Sequence, residues 1–220
     1  LPAQVSFVTS AQRLFAGANS FSLIAIPFFI LAGNLMNNGG IAERLVNVAK
    51  AIAGRMPGAL AQTNIIANML FGAISGSGAA AAAAMGGTIG PMEEKEGYDP
   101  VYSAAVNIAS APTGMLIPPS NLMIVYSTIA GSVSVAALFT AGYLPGILWG
   151  IIVMVIAGIT AKKKGYVIKE TISGRQALKA ILDAIPSLLL IVIIIGGILG
   201  GVFTATEASA VAVAYATVLG

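Results

Sequence analysis

Two short stretches carry most of the chemistry open to this sequence. Ser75-Gly76-Ser77-Gly78 sits inside a charge-free run of 37 residues, 56–92. Ala111-Pro112-Thr113-Gly114-Met115-Leu116-Ile117-Pro118-Pro119-Ser120 sits inside another of 62, 100–161. Both combine helix-stopping residues with uncharged hydroxyls, those of Ser75, Ser77, Thr113 and Ser120. Where a helix stops, backbone groups lose their partners and the ends carry partial charge. N-terminal ends attract a carboxylate, and free carbonyls and hydroxyls attract a hard cation. The chain has no His, and no ionisable side chain falls within the apolar segments. A proton relay at membrane depth normally needs such a group. A cage of neutral oxygens suits sodium better. Ser75 or Ser77 as an enzyme's nucleophile would lack an activating base, since His and Cys are absent and no Lys or Asp lies at depth. Gly76 and Gly78 do not form a nucleotide loop, because no Gly-Lys-Ser/Thr follows them.

Plainer readings compete. Ser-Gly-Ser-Gly is also an ordinary turn sequence, and Pro118-Pro119 also reads as a structural kink. Ala79–Ala84 reads as a smooth face for helix packing. Asn64, Asn68 and Asn107 read as interhelix hydrogen-bonders rather than ligands. Asn121 is set apart because it directly follows the second break.

The elements that must position these residues follow from the charges. The chain is 57% hydrophobic and 9% charged, against roughly a quarter charged in soluble domains. Residues 14–42, 56–92, 100–161 and 184–206 carry no charge, and roughly 20 apolar residues cross a bilayer as a helix. The chain therefore reads as an all-α polytopic membrane protein. A net charge of +3 is too small and dispersed to suggest nucleic acid. With no Cys, disulfides are excluded.

Residues 21–36 read as a helix with Pro27 near its start, ended by Asn37-Asn38-Gly39-Gly40. Residues 41–54 read as an amphipathic helix along the interface, its apolar face Ile41, Leu45, Val48, Ala49 and Ile52. The run 56–92 is too long for one crossing and too short for two. Its arms 59–74 and 79–91 would be about 24 and 20 Å long, so a re-entrant hairpin is predicted, tipped by Ser-Gly-Ser-Gly. Residues 93–100 read as a polar loop. Residues 101–111 and 120–131 read as half-helices of one discontinuous span, because the prolines between them cannot stay helical. After a turn at 132–134, residues 135–160 and 181–203 read as conventional spans. Between them, 161–180 holds six of the eleven basic residues, Lys162, Lys163, Lys164, Lys169, Arg175 and Lys179. The positive-inside rule puts that loop, and with it the hairpin mouth at Arg55, in the cytoplasm. Thr204-Ala205-Thr206-Glu207 has capping-box spacing and opens a last helix. The N-terminal residues lack the pattern of a signal peptide. The missing Met and the 13-residue apolar segment 208–220 suggest a piece of a longer protein.

Residues 21–36 (FSLIAIPFFILAGNLM), 70–85 (LFGAISGSGAAAAAAM), 112–120 (PTGMLIPPS), 137–146 (ALFTAGYLPG) and 201–210 (GVFTATEASA) resemble the large membrane subunit of tripartite ATP-independent periplasmic (TRAP) transporters. The resemblance covers essentially the whole chain. It implies an elevator-type permease of inverted repeats in the bacterial inner membrane. Sodium would be the coupling ion, and organic carboxylates (sialic acid, sugar acid or C4-dicarboxylate) the substrates. A periplasmic substrate-binding protein and a small membrane subunit, separate or fused, would be the partners. It also implies that side chains or carbonyls of Ser75, Ser77, Gly114, Ile117 and Pro119 hold sodium. Gly76, Gly78, Thr113, Ser120 and Asn121, at the same breaks, are the candidate substrate contacts. The segment 121–126 is closer to sialic-acid-type members. Residues 1–58 would then hold a scaffold helix and an arm helix. Residues 59–131 would belong to the transport domain, 132–180 would be a span and the basic loop, and 181–220 would begin a second repeat. The rival of a different class is a passive channel, for which no ring of charges lines the broken segments.

Overall fold

A computed structural model describes residues 3–131, 133–166 and 173–219, and every described element is helical. Ser132 and Lys169 lie outside the described residues. The helices are α1 (Ala3–Ala18), α2 (Ala25–Asn38), α3 (Ile41–Ala53), α4 (Ala59–Ser75), α5 (Gly78–Lys95), α6 (Pro100–Ser110), α7 (Thr113–Leu116), α8 (Asn121–Ala130), α9 (Val135–Lys164), α10 (Gly174–Leu199) and α11 (Ala205–Leu219). A 3₁₀ turn, Phe21–Ile24, leads into α2. Together Phe21–Asn38, then α9 and α10, are long and apolar enough to cross a bilayer. The pair α6–α7 and α8, bent by 47° at its break, is together long and apolar enough for one more crossing. This is the architecture of a polytopic helical membrane protein.

Local chemistry sets most boundaries. Gly40, Gly58 and Gly76 adopt left-handed conformations at the starts of α3 and α4 and at the end of α4. Asp99 accepts a hydrogen bond from Val101 N at the start of α6, and Ser134 one from Ala137 N at α9. The box opening α11 forms as its spacing predicts: Thr204 N donates to Glu207 Oε2 (2.8 Å) and Glu207 N to Thr204 Oγ1 (3.3 Å).

Four expectations need correction. The polar loop assigned to 93–100 is partly helix: α5 runs on to Lys95, and Glu93 is buried. Most of the basic loop assigned to 161–180 is also helix, because Lys162, Lys163 and Lys164 form the last turn of α9 while Arg175 and Lys179 lie in α10. A charge marks where a helix leaves the apolar layer, not where its hydrogen bonding ends. The prolines between the half-helices leave room for one helical turn, α7. Helix α3 is amphipathic, but of its assigned apolar face only Ile41, Leu45, Val48 and Ala49 are buried, in protein contacts with α4 and α10, whereas Ile52 is exposed.

At the core, α4 is buried along most of its length, against α3, α5, α6, α7 and α9. The hairpin mouth packs on the basic end of α9. A Cβ on Gly58 would lie 2.5 Å from Ala161 Cβ, Tyr98 stacks on Tyr166 with centroids 4.2 Å apart, and Lys164 pairs with Asp99. At the other end, Thr206 Oγ1 donates to Phe21 O (3.1 Å). From there α2 and α11 pack on each other, with Ala25 and Ala32 of α2 and Ala208, Ser209 and Ala212 of α11 buried. Small residues of this kind let helices approach closely where no hydrophobic drive separates protein from lipid.

Candidate functional site

The backbone leaves helical geometry at both predicted places. Helix α4 ends at Ser75, Gly76 turns at φ +63, and Ser77 is extended at φ −134, ψ 115. Downstream, Ile117 is extended, the Pro118-Pro119 peptide is cis, and Ser120 is extended at φ −127, ψ 121. Ser77 and Ser120 have nearly the same conformation because they do the same job. Each is an N-cap, Ser77 Oγ accepting from Ala80 N (3.3 Å) and Ser120 Oγ from Met123 N (3.4 Å). Thus α5 and α8 both present their N-terminal, electropositive ends at the break.

The two breaks touch. Asn121 N donates to Gly76 O (3.1 Å), and Asn121 Nδ2 reaches Ser75 O (3.4 Å). A Cβ on Gly76 would lie 2.9 Å from Pro119 O, one on Gly78 2.7 Å from Ala111 O, and one on Gly72 2.1 Å from Gly114 Cα. The hairpin tip and the unwound segment therefore meet backbone to backbone, which only glycine permits at these positions. On the opposite side, a Cβ on Gly33 of α2 would stand 3.0 Å from Ser75 Cβ.

Of the candidate ion ligands, Ser75, Gly114 and Pro119 converge here and are buried. Ser75 Oγ accepts from Ser77 N and donates to Ser77 O, both at 3.4 Å, two long bonds that close the tip on itself. Ile117 sends its side chain towards Gly146 of α9, so only its backbone serves the site. Among the described residues the carbonyls of Ile117, Pro118 and Pro119 accept no hydrogen bond. Of the candidate substrate contacts, Gly76, Gly78, Ser120 and Asn121 are at the junction. Thr113 lies one turn deeper and donates to Ser110 O (2.6 Å). Among the described residues Asn121 Oδ1 is buried without a partner, and such an acceptor costs on the order of 1–3 kcal/mol unless something donates to it or coordinates it. The arrangement offers neutral oxygens to a cation and two helix N-termini to an anion.

Sequence reasoning missed two features. The Gly72–Gly114 contact has only a weak signal, isolated glycines in apolar helices. Glu93 was assigned to a loop, yet its carboxyl is buried between the hairpin and α6, outside the spanning helices. Burial pushes it up to about 7, and the polar Ser103 Oγ nearby opposes the rise without reaching hydrogen-bond geometry.

The model of the DctM component of tripartite ATP-independent periplasmic transporters matches residues 1–220. The chain belongs to the DctM family. It is 58% identical to the uncharacterized protein YgiK of Salmonella typhimurium, over all of this chain and 50% of that protein. It is 42% identical to the sialic acid TRAP transporter large permease protein SiaM of Vibrio cholerae, over 96% of this chain and 49% of SiaM. It is 43% identical to the C4-dicarboxylate TRAP transporter large permease protein DctM of the same organism, over 96% of this chain and 46% of that protein. The chain thus spans about half the length of the curated relatives it matches. DctM proteins are permease subunits of the bacterial inner membrane and not enzymes, and the apolar spans of this member accord with that setting.

Proposed function

We propose that this DctM chain forms one half of the ion and substrate pathway of a sodium-coupled, elevator-type importer of organic carboxylates. A periplasmic binding protein would deliver the substrate and a small membrane subunit would complete the permease, in an inverted-repeat architecture. The observation that carries the reading is the junction of hairpin tip and broken span, held together by Asn121 N to Gly76 O and by Gly72 against Gly114. Sodium would sit among the oxygens of Ser75, Ser77, Gly114, Ile117 and Pro119. The substrate carboxylate would lie at the N-termini of α5 and α8, near Gly76, Gly78, Thr113, Ser120 and Asn121. Positioning of this kind uses fixed dipoles in place of charged side chains. Sialic acid and C4-dicarboxylates are named for relatives of nearly equal identity, 42% and 43%, so neither is singled out and the proposal stays at organic carboxylates.

The test is uptake of labelled carboxylates by the intact permease with its partners in proteoliposomes. Uptake is expected to require the binding protein and an inward sodium gradient. Replacing Ser75 or Ser77 by Leu should abolish it while the protein still inserts. Uptake indifferent to sodium and to both substitutions would overturn the reading, and conduction without a binding protein would favour a channel.

A further inference from the structure

Glu93 stands apart from the junction and has no role in it. Glu93 is 1% exposed, neither carboxyl oxygen has a hydrogen-bond partner among the described residues, and the residue lines a cavity of about 340 Å³ between α4, α5 and α6. Among the described residues no Lys or Arg lines that cavity; Asn64, Glu94, Tyr98, Ser103 and Asn107 do. A carboxyl taken from water without a counter-charge must bind a proton or a cation, because desolvation penalises the bare anion heavily.

The wall favours a cation. Ser103 Oγ is buried and has no hydrogen-bond partner among the described residues. Asn107 turns its Nδ2 to Ala82 O (2.9 Å), leaving Oδ1, shared with Asn68, on its other side. Glu94, exposed beside the cavity, adds negative potential. Hard oxygens around a single buried charge match a monovalent ion; a divalent one wants more carboxylates. A seam of polar side chains, buried but for the half-buried Asn107, connects this place with the break. Asn68 Nδ2 donates to Asn64 Oδ1 (2.7 Å), Asn107 Oδ1 (3.0 Å) and Ser110 Oγ (2.9 Å), and Thr113 Oγ1 donates to Ser110 O.

We propose that the cavity between the hairpin and α6 is a second monovalent-cation site, with the Glu93 carboxylate as anionic ligand and Ser103 Oγ and Asn107 Oδ1 beside it. Sodium occupies it between the polar seam and the water at the hairpin mouth. The site goes beyond the tip reading and does not depend on it.

The chain has no Cys, so a single reporter thiol can be placed. Gly90 lines the cavity, and a Cβ there meets nothing within 4 Å. In the intact permease bearing G90C, sodium replacing choline at pH 8 is expected to slow modification by a small methanethiosulfonate reagent. The slowing should be about tenfold at a sodium concentration ten times the dissociation constant, since only the vacant fraction reacts. E93Q, which keeps the shape of Glu93, should abolish the protection, and S103A should weaken it and decides the matter if E93Q does not fold. S75L, which disables the tip, should leave protection in place, so failure of the tip reading and failure of this one are distinguishable. Protection that persists in E93Q and S103A, or that disappears only in S75L, overturns the proposal. So does a Glu93 that alters the pH profile of uptake while sodium protection never appears, which would make it a proton site.

Discussion

At Gly72 a single added methyl would sit 2.1 Å from Gly114 Cα, closer than any side chain tolerates. The neighbour is backbone, in the short turn that α7 supplies, so no rotamer change relieves the clash. Gly72→Ala must push the hairpin away from the broken span. Overpacking of this kind costs typically 1–3 kcal/mol, and here the displacement falls on the proposed ion pathway. Gly72→Ala is expected to lower sodium-dependent uptake at least tenfold at normal membrane abundance, whereas Gly87→Ala, with open space around its Cβ, should leave uptake near wild type. Equal uptake by the two variants would show that the close approach is not needed. The turn glycine was legible in the sequence, because Ser-Gly-Ser-Gly in an apolar run announces a break. The partner of Gly72 was not, since a pairwise approach belongs to the fold and leaves no periodic mark. Glu93 was hidden for the opposite reason: a charge beside other charges reads as solvated loop, and only packing reveals that one of them turns inward.

The half-helices show why elements were easier to read than contacts. Arms predicted at 59–74 and 79–91 appear as Ala59–Ser75 and Gly78–Lys95, and the flanks of the broken span as Pro100–Ser110 and Asn121–Ala130. Starts were marked by caps and glycines. Ends drifted where charge was taken as the stop, at Lys95 and at Lys164. The one-turn helix Thr113–Leu116 was masked by its flanking prolines, although Pro112 stands at its N-cap, where a missing N–H is harmless. The caps themselves carry a prediction. Ser120 holds the start of α8 by accepting from Met123 N while its hydroxyl donates to Met115 O across the unwound segment. Ser120→Ala removes both bonds and should destabilise the protein by about 1 kcal/mol. Ser120→Asn restores a capping acceptor and should recover part of that loss. Thermal unfolding in detergent measures both, and an alanine variant as stable as wild type would mean that packing alone fixes the start of α8.

Across the whole molecule, the hairpin decides the topology. Its mouth meets the lysine-bearing end of α9, through Gly58 on Ala161 and Asp99 with Lys164. Its tip is held by α2 through Gly33 and by the broken span through Asn121. A hairpin that enters and leaves on one side requires Arg55 and Lys95 to share a face of the membrane with Lys163, and Val202, beyond the far end of α10, to lie on the other. All four side chains are exposed. Because the chain contains no Cys, R55C, K95C, K163C and V202C can each be introduced alone into the intact permease. An impermeant maleimide applied to inside-out vesicles should label the first three, and applied to right-side-out vesicles should label only V202C, since the positive-inside rule assigns the lysine-rich end to the cytoplasm. Labelling of R55C and K95C from opposite sides would mean that the 56–92 segment crosses the bilayer. The tip would then no longer turn back inside the bilayer, and the junction with Asn121, the basis for the transport reading, could not form in the membrane as it does here.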